Sequence, residues 1–132
     1  MTTATTLSDS KRIVVDSSGW LEYLTDDANA DRFAPYVAGN FHVIVPTIVV
    51  YEVYKKLLME SGQSAADGFA SDAMRRTVVP LDDLLAISAA QISLDHRLPM
   101  ADAIIYASAI AQNAELVTGD PHFGGLPGVI IP

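Results

Sequence analysis

Residues 13–19 read Ile-Val-Val-Asp-Ser-Ser-Gly, and this stretch carries the strongest indication of the fold. Three β-branched apolar residues that stop at an acid and a glycine are typical of a short buried strand that passes directly into a helix. The apolar face of that helix is supplied by Trp20, Leu21, Tyr23 and Leu24. The first predicted elements are therefore a strand and a helix, the unit from which α/β sheets are built.

The same alternation continues to the C-terminus. Further strands are predicted at residues 41–45, 77–79, 115–118 and 128–131, and helices at residues 31–37, 46–60, 63–76, 81–95 and 99–113. Short apolar strands between longer helices indicate a mostly parallel sheet of about five strands, flanked by helices on both faces. We expect one α/β domain over residues 11–132, preceded by a loose tail over residues 1–10.

The composition excludes several classes of protein. Of the 132 residues, 50% are hydrophobic and 18% are charged, which excludes a disordered chain. Cysteine is absent, so disulfides, thiolate metal ligands and a cysteine nucleophile are excluded, and a reducing, cytoplasmic location is expected. No apolar run approaches the roughly 20 residues that span a bilayer, and the Thr- and Ser-rich start lacks the apolar segment of a secretory signal. The net charge of −8 argues against nonspecific nucleic-acid binding, so chemistry on nucleic acid would need positive charge from metal ions.

Two acids follow predicted strands directly. Asp16 ends the first strand, and Asp120 comes just after the strand at residues 115–118. Functional sites of open α/β sheets form outside the carboxyl ends of the strands, so both acids are candidate site residues. Each also fits a structural role as a helix cap, Asp16 before Ser17 and Asp120 before Pro121.

Two further acids lie in predicted helices that have few polar residues. Glu52 stands among valines and Tyr51, although an exposed pair with Lys55 or Lys56 would also explain it. Asp102 lies in the first turn of a helix that is apolar nearly all round, the pattern of a buried helix. The helix dipole alone would favour an acid at that position. A carboxylate on so apolar a helix still requires a polar cleft, a partner or a metal, because burying an unpaired charge is costly.

Other catalytic signatures are absent from the sequence. No G-x-S-x-G, G-x-G-x-x-G or phosphate-binding-loop motif occurs. His42, His96 and His122 share no metal-ligand spacing, and we interpret them as structural or surface residues. A site made of acids alone favours Mg²⁺ or Mn²⁺ over zinc, because hard divalent cations prefer oxygen ligands. Such a metal would supply the missing positive charge and activate a water.

The ordered set of four acids, with its neighbours, resembles the PIN domain. Asp16 stands in Val-Val-Asp-Ser-Ser, Glu52 in Tyr-Glu-Val, Asp102 in Ala-Asp-Ala-Ile-Ile-Tyr-Ala-Ser-Ala and Asp120 in Thr-Gly-Asp-Pro-His-Phe. The resemblance covers residue 13 to the C-terminus, and within this family the chain is similar to VapC-type toxin ribonucleases. It implies a Mg²⁺- or Mn²⁺-dependent ribonuclease whose acidic metal pocket is formed by Asp16, Glu52, Asp102 and Asp120.

Further expectations come from the same resemblance. Thr118 stands where the family often has a Thr or Ser whose hydroxyl helps to hold the pocket. Such toxins are commonly homodimers, and a cognate antitoxin wraps the toxin with its C-terminal segment and blocks the site. Asp16 and Asp102 are the preferred direct metal ligands, whereas Glu52 and Asp120 complete the ligand set or orient metal-bound water.

Groups that could contact RNA or a second chain are few. Among eight basic residues, Lys55 and Lys56 stand one turn from Glu52 and are the best placed phosphate contacts, although solvated helix surface also explains each of them. Tyr51 and Tyr54 could stack a base, but tyrosines at helical spacing are more often part of a core. Self-association is expected from early aromatic residues on a chain of mean hydropathy +0.27, namely Trp20, Tyr23, Phe33, Tyr36 and Phe41.

Two alternatives remain open. A phosphatase of the haloacid dehalogenase type also places an aspartate after its first strand, but it needs a second acid two residues later, where this chain has Ser18. A non-catalytic PIN-like module would bind RNA or an antitoxin without cutting. The four acids disfavour such a module, because a surface used only for binding has no reason to crowd like charges.

Overall fold

The computed structural model describes residues 11–25 and 28–132, so the tail expected over residues 1–10 lies outside the described residues. The strands are β1 (Arg12–Val15), β2 (His42–Pro46), β3 (Thr77–Val79), β4 (Glu115–Val117) and β5 (Val129–Ile130). The helices are α1 (Ser17–Leu24), α2 (Ala30–Val37), α3 (Thr47–Glu60), α4 (Gln63–Met74), α5 (Asp83–His96) and α6 (Met100–Ala111), with a short 3₁₀ helix at Pro121–Phe123. Each predicted strand and helix is present, with its ends within a few residues of the predicted ones.

The five strands form one sheet in the order β3-β2-β1-β4-β5, and every neighbouring pair is parallel. Val14 in the middle of β1 lies opposite Ile44 of β2 and Leu116 of β4. The prediction of a mostly parallel sheet of about five strands is confirmed, and the sheet is parallel throughout.

The connections between strands place the helices on both faces and define one crevice. The chain steps from β1 to β2 to β3 in one direction and then crosses back to β4. Because such crossovers are right-handed, α1 to α4 cover one face and α5 and α6 cover the other. The direction reverses beside β1, so the carboxyl ends of β1 and β4 border the crevice where open α/β sheets bind ligands.

The apolar helix α6 lies in the core. All seven residues from Ala103 to Ala109 are buried, which confirms the prediction of a buried helix over this stretch. The helix has 12 residues. Among the residues that the structure describes, no helix combines the length and the apolar character needed to cross a membrane.

The aromatic residues from which self-association was predicted do not form an exposed surface, so that part of the reasoning was wrong. Trp20 and Phe33 are fully buried, and Tyr23, Tyr36 and Phe41 pack against the core. The reason is that α1 and α2 turn their aromatic sides toward each other, the sheet and α4, where Trp20 meets Phe69 edge to face at 5.3 Å.

Exposed apolar side chains lie instead on α5. Leu84, Ile87 and Leu94 follow one another at helical spacing and are 72%, 58% and 84% exposed. Leu81 and Met100 line an adjoining groove of about 510 Å³, together with Leu94. We call these five residues the α5 face.

Gly19 in α1 stands where a side chain would collide with its neighbours. A Cβ at this position would lie 2.9 Å from the Phe33 ring and 2.9 Å from Val15 Cγ1. Gly19→Ala should therefore lower the free energy of unfolding by about 1–3 kcal/mol through overpacking, as measured by urea denaturation.

Gly68, in the middle of α4, offers the matched control. No atom lies within 4 Å of the position that its Cβ would take. Gly68→Ala should leave stability unchanged or raise it by up to about 1 kcal/mol, because alanine is the better helix former. A Gly19→Ala protein as stable as wild type would contradict the close packing of α1 against α2 and β1.

Candidate functional site

Asp16 is buried at the carboxyl end of β1 and is held there by four hydrogen bonds. Its backbone N–H donates to the Val117 carbonyl of β4 at 2.8 Å. Its Oδ1 accepts from the Ser17 N–H at 2.8 Å, and its Oδ2 accepts from the hydroxyls of Ser18 at 2.9 Å and Thr118 at 2.8 Å. Asp16 is therefore the cap of α1, as the structural interpretation predicted. The bond from Thr118 is not needed for capping and ties the acid to β4.

Thr118 connects two of the predicted site acids. Its fully buried hydroxyl donates to Asp16 and accepts from the Asp120 N–H at 2.9 Å. Asp120 in turn caps the 3₁₀ helix, because its Oδ1 accepts from the His122 N–H at 2.9 Å. The cap interpretation of Asp120 is therefore also correct, and the same turn places the acid beside β1.

Glu52 joins the site from α3. The Ser17 hydroxyl donates to its Oε1 at 2.6 Å, so α1 and α3 meet at this carboxylate. The alternative of an exposed pair with a lysine is not observed, because Lys56 pairs with Glu60 at 3.2 Å and Lys55 lies 3.4 Å from the Tyr51 hydroxyl.

Asp102 projects from the first turn of α6 and makes no hydrogen bond or ion pair with the described part of the chain. Burial, together with the charges of Asp16, Asp120 and Glu52, raises the pKa of Asp102 from 3.8 to about 6, and His122 offsets part of this rise. The structure thus brings all four predicted acids within electrostatic reach of one another. Burial also raises the pKa of Asp16, against its hydrogen bonds from Thr118, Ser18 and Ser17, and the charge of Glu52 adds to the rise.

His122 is the residue that the sequence reasoning assigned to the surface without a role. Its side chain is exposed, as expected, but its Nδ1 lies 3.2 Å from Asp120 Oδ1. Single ligand atoms of Asp102, Asp120 and His122 all lie within 4.8 Å of one another, close enough to hold a metal ion. An acid and a histidine two residues apart do not by themselves indicate a metal site. Here the 3₁₀ helix at Pro121–Phe123 turns the chain so that the two side chains meet.

Comparisons with known proteins identify the family. The family model of the PIN domain matches residues 13–128. The chain belongs to the PIN domain family. None of the curated proteins compared with it gives a match.

Solved structures share the fold of this PIN domain. A toxin-antitoxin complex from Klebsiella pneumoniae has 19% identity and a TM-score of 0.78, covering 91% of this chain and 97% of its own. The Mycobacterium tuberculosis VapC20, described as a sarcin-ricin loop cleaving toxin, has 20% identity and a TM-score of 0.76, covering 91% and 99%. FitAcB from Neisseria gonorrhoeae has 20% identity and a TM-score of 0.70, covering 91% and 97%.

The phosphatase alternative does not fit the site of this PIN domain. That chemistry needs a second acid two residues after Asp16. Ser18 stands there, and its hydroxyl donates to Asp16 Oδ2. The position is used to hold the first carboxylate and offers no second one.

Asp102 is repelled by the neighbouring acids, so replacing it with a neutral residue should raise the stability of the folded protein. Without added metal at about pH 7.5, Asp102→Asn should melt on the order of a few degrees above wild type, because the amide removes one of four crowded charges. The pKa of about 6 in the folded protein exceeds the usual 3.8, so the folded state holds a proton that the unfolded chain releases. The stability of wild type relative to the variant should therefore fall as the pH rises from about 4 to 7.

Thermal melts of both proteins with and without Mg²⁺ complete this test. Mg²⁺ should raise the wild-type melting temperature by mass action and affect Asp102→Asn much less. Asp102 lies in the first turn of α6, whose cap is Pro99, so a role limited to the helix dipole would make Asp102→Asn melt slightly below wild type. A metal-free melting temperature of Asp102→Asn equal to or below that of wild type, with no response to Mg²⁺ in either protein, would contradict the site.

Proposed function

We propose that this PIN domain is a Mg²⁺- or Mn²⁺-dependent ribonuclease, the toxin of a toxin-antitoxin pair. The observation that supports it is the arrangement of Asp16, Glu52, Asp102 and Asp120, four carboxylates within electrostatic reach of one another at the β1–β4 crevice, of which Asp102 and Asp120 lie close enough to share an ion. Within the described part of the chain, the one group that offsets the rise in the pKa of Asp102 is His122, which also lies 3.2 Å from Asp120. Carboxylates crowded in this way are stabilised by a divalent cation, and oxygen donors suit Mg²⁺ and Mn²⁺.

The four acids differ in how firmly they are held, which suggests a division of roles. Asp16 and Glu52 are oriented by hydrogen bonds from Ser17, Ser18 and Thr118, so their carboxylates present a fixed geometry. Asp102 has no competing partner and would be a direct ligand with Asp16, while Asp120 completes the set. A bound metal would polarise the phosphodiester and provide a nucleophilic water near neutral pH.

RNA is the proposed substrate. The few positive side chains that would contact it lie on α3. The chain carries a net charge of −8, so phosphates are held by the metal and by few side chains. Lys55 and Lys56 line a groove that also contains Ser17 and Glu52, which supports their predicted role as phosphate contacts. We also propose a cytoplasmic location, which the absence of cysteine from the sequence supports.

An antitoxin is the proposed protein partner. The structural neighbours include a toxin-antitoxin complex from Klebsiella pneumoniae and a member of the VapBC family of toxin-antitoxin systems from Mycobacterium tuberculosis. On this chain, a groove of about 700 Å³ lies among α1 to α4, with Val37, Leu57 and Phe69 in its lining. Arg75 lines the same groove and is exposed, without a partner among the described residues. An antitoxin segment with apolar side chains and an acid for Arg75 would match this surface.

A second copy of the chain is the proposed occupant of the α5 face. Two chains of net charge −8 repel each other unless they meet through a neutral surface. Residues 84–94 of α5 include no charged side chain, and Leu84 and Leu94 are among the most exposed apolar residues described. The homodimer prediction is therefore kept, with α5 in place of the early aromatic residues.

Cleavage assays test the proposed activity directly. The protein should cut a mixed RNA pool with Mg²⁺ or Mn²⁺ and not with EDTA. Asp16→Asn and Asp102→Asn should each lower the rate roughly 100-fold or more while leaving a folded protein. Asp82→Asn is the matched control, because Asp82 caps α5 by accepting from the Leu85 N–H and asparagine caps equally well.

Three results would contradict this function. Cleavage with zinc alone would contradict the oxygen-ligand site. Full activity in both Asp16→Asn and Asp102→Asn would contradict the assignment of the acids. Binding of RNA or an antitoxin without cutting under any metal condition would instead favour the non-catalytic module.

Self-association is tested by charging the α5 face. Wild type should form dimers at micromolar concentration, and Leu94→Glu should shift them to monomers, as measured by light scattering. Met74→Glu is the control, because Met74 at the end of α4 is 74% exposed and lies outside the α5 face. A wild-type protein that stays monomeric, or dimers equally stable in Leu94→Glu, would contradict the interface.

A further inference from the structure

A groove of about 350 Å³ adjoins the acidic site and combines apolar, aromatic and basic side chains. Its α3 wall carries Tyr51, Lys55 and Met59 at spacings of four residues, with Glu52 and Lys56 beside them. Its α1 wall carries Ser17 and Leu21. Because Ser17 donates to Glu52 inside the groove, the groove and the carboxylates form one continuous surface.

The two tyrosines that could stack a base have different surroundings in the structure. Tyr54 packs against the core, and its hydroxyl donates to Asp67 at 2.8 Å and accepts from Gln63 at 2.9 Å. Tyr51 lies in the groove, and 59% of its surface is exposed. An aromatic ring that stays exposed beside a polar site is available for stacking, and Tyr51 is that ring.

Lys55 is the lysine of this groove that forms no ion pair with a carboxylate of the described residues. Its Nζ lies 5.5 Å from the centre of the Tyr51 ring and 3.4 Å from the Tyr51 hydroxyl. Lys56, in contrast, pairs with Glu60 at 3.2 Å. Most other basic residues are engaged elsewhere: Lys11 pairs with Glu115, Arg12 bonds Gln112, Arg32 bonds Pro132, and Arg76 pairs with Asp72.

We propose that Tyr51 and Lys55 form a subsite for one unpaired nucleotide of the RNA, with the base stacked on the Tyr51 ring and its phosphate at Lys55 Nζ. This inference rests on the proposed ribonuclease function and names the two side chains that would hold one nucleotide beside the carboxylates. A base within a duplex is stacked between its neighbours, so its face is not free to meet a side chain. The subsite therefore selects single-stranded segments and loops, whatever the base.

Binding by an inactive protein tests the subsite apart from cleavage. In the Asp102→Asn background with Mg²⁺, a fluorescently labelled single-stranded oligonucleotide should bind more tightly than the same sequence in a duplex, as measured by anisotropy. Adding Tyr51→Ala should weaken binding of the single strand about tenfold, because the loss of stacking on one aromatic ring corresponds to a change in affinity of about fivefold to 150-fold. Tyr51→Phe should bind like the parent, and Tyr51→Leu should bind like Tyr51→Ala.

The salt dependence of the same binding reports the phosphate contact. Lys55→Gln should lower the slope of log affinity against log salt by about 0.7, the value for one phosphate contact on a single strand. Lys11→Gln is the matched control. Lys11 precedes β1 and so lies at the amino ends of the strands, opposite the site, and its substitution should leave the slope unchanged. Equal slopes in Lys55→Gln and Lys11→Gln would overturn the role of Lys55.

Cleavage kinetics give the second readout. In the active protein, Tyr51→Ala should raise KM for an unpaired oligonucleotide about tenfold and leave kcat within about threefold, since the ring binds substrate away from the reacting atoms. Failure of wild type to cut RNA would contradict the ribonuclease, whereas the binding experiment would still decide the subsite. Single strands and duplexes bound equally, or Tyr51→Ala and Tyr51→Phe with equal affinities, would overturn the subsite.

Discussion

The contact between the buried Asp16 carboxylate and the Thr118 hydroxyl is the interaction on which the site depends. It joins the carboxyl ends of β1 and β4, two strands whose connected residues are 102 positions apart in the chain. The neighbouring bond from the Asp16 N–H to the Val117 carbonyl extends the sheet up to the acid. The same hydroxyl accepts from the Asp120 N–H, so one buried threonine aligns two acids from different strands. A buried carboxylate is tolerated here because three donors satisfy its oxygens.

Electrostatic repulsion then distinguishes the site from the scaffold around it. The charged Asp16 carboxylate is stabilised by hydrogen bonds from Thr118, Ser18 and Ser17. Asp102 faces the other acids without a partner among the described residues, and its pKa is raised to about 6. Folding therefore holds charges together that would separate in the unfolded chain. An arrangement that lowers stability persists where function requires it, and a divalent cation is the ligand that would turn the repulsion into attraction.

Charge also explains how so acidic a chain can bind other molecules. Of its eight basic residues, five contact carboxylates or carbonyl oxygens among the described residues, whereas Lys55, Arg75 and the exposed Arg97 do not. Lys55 beside Tyr51 and Arg75 beside the α1–α4 groove mark separate surfaces, one continuous with the carboxylates and one on the helices away from them. The α5 face is uncharged over residues 84–94 and suits a partner of the same charge. The proposed RNA, antitoxin and second copy thus have distinct places on the molecule.

The sequence by itself determined the strands, the helices, the parallel sheet and the four candidate acids, because each follows from local patterns. Ile13 to Val15 are apolar on both sides of the strand, which indicates a sheet covered on both faces. Asp102 is the acid of an otherwise apolar helix, which marks it as a candidate site residue. The tertiary structure alone decided which residues meet. The bond from Ser17 to Glu52, the approach of His122 to Asp120 and the exposure of Leu94 in place of Trp20 depend on how helices pack on the sheet. A periodic pattern reports that a side chain needs a partner, but the strand order and the packing of the helices determine which partner it has.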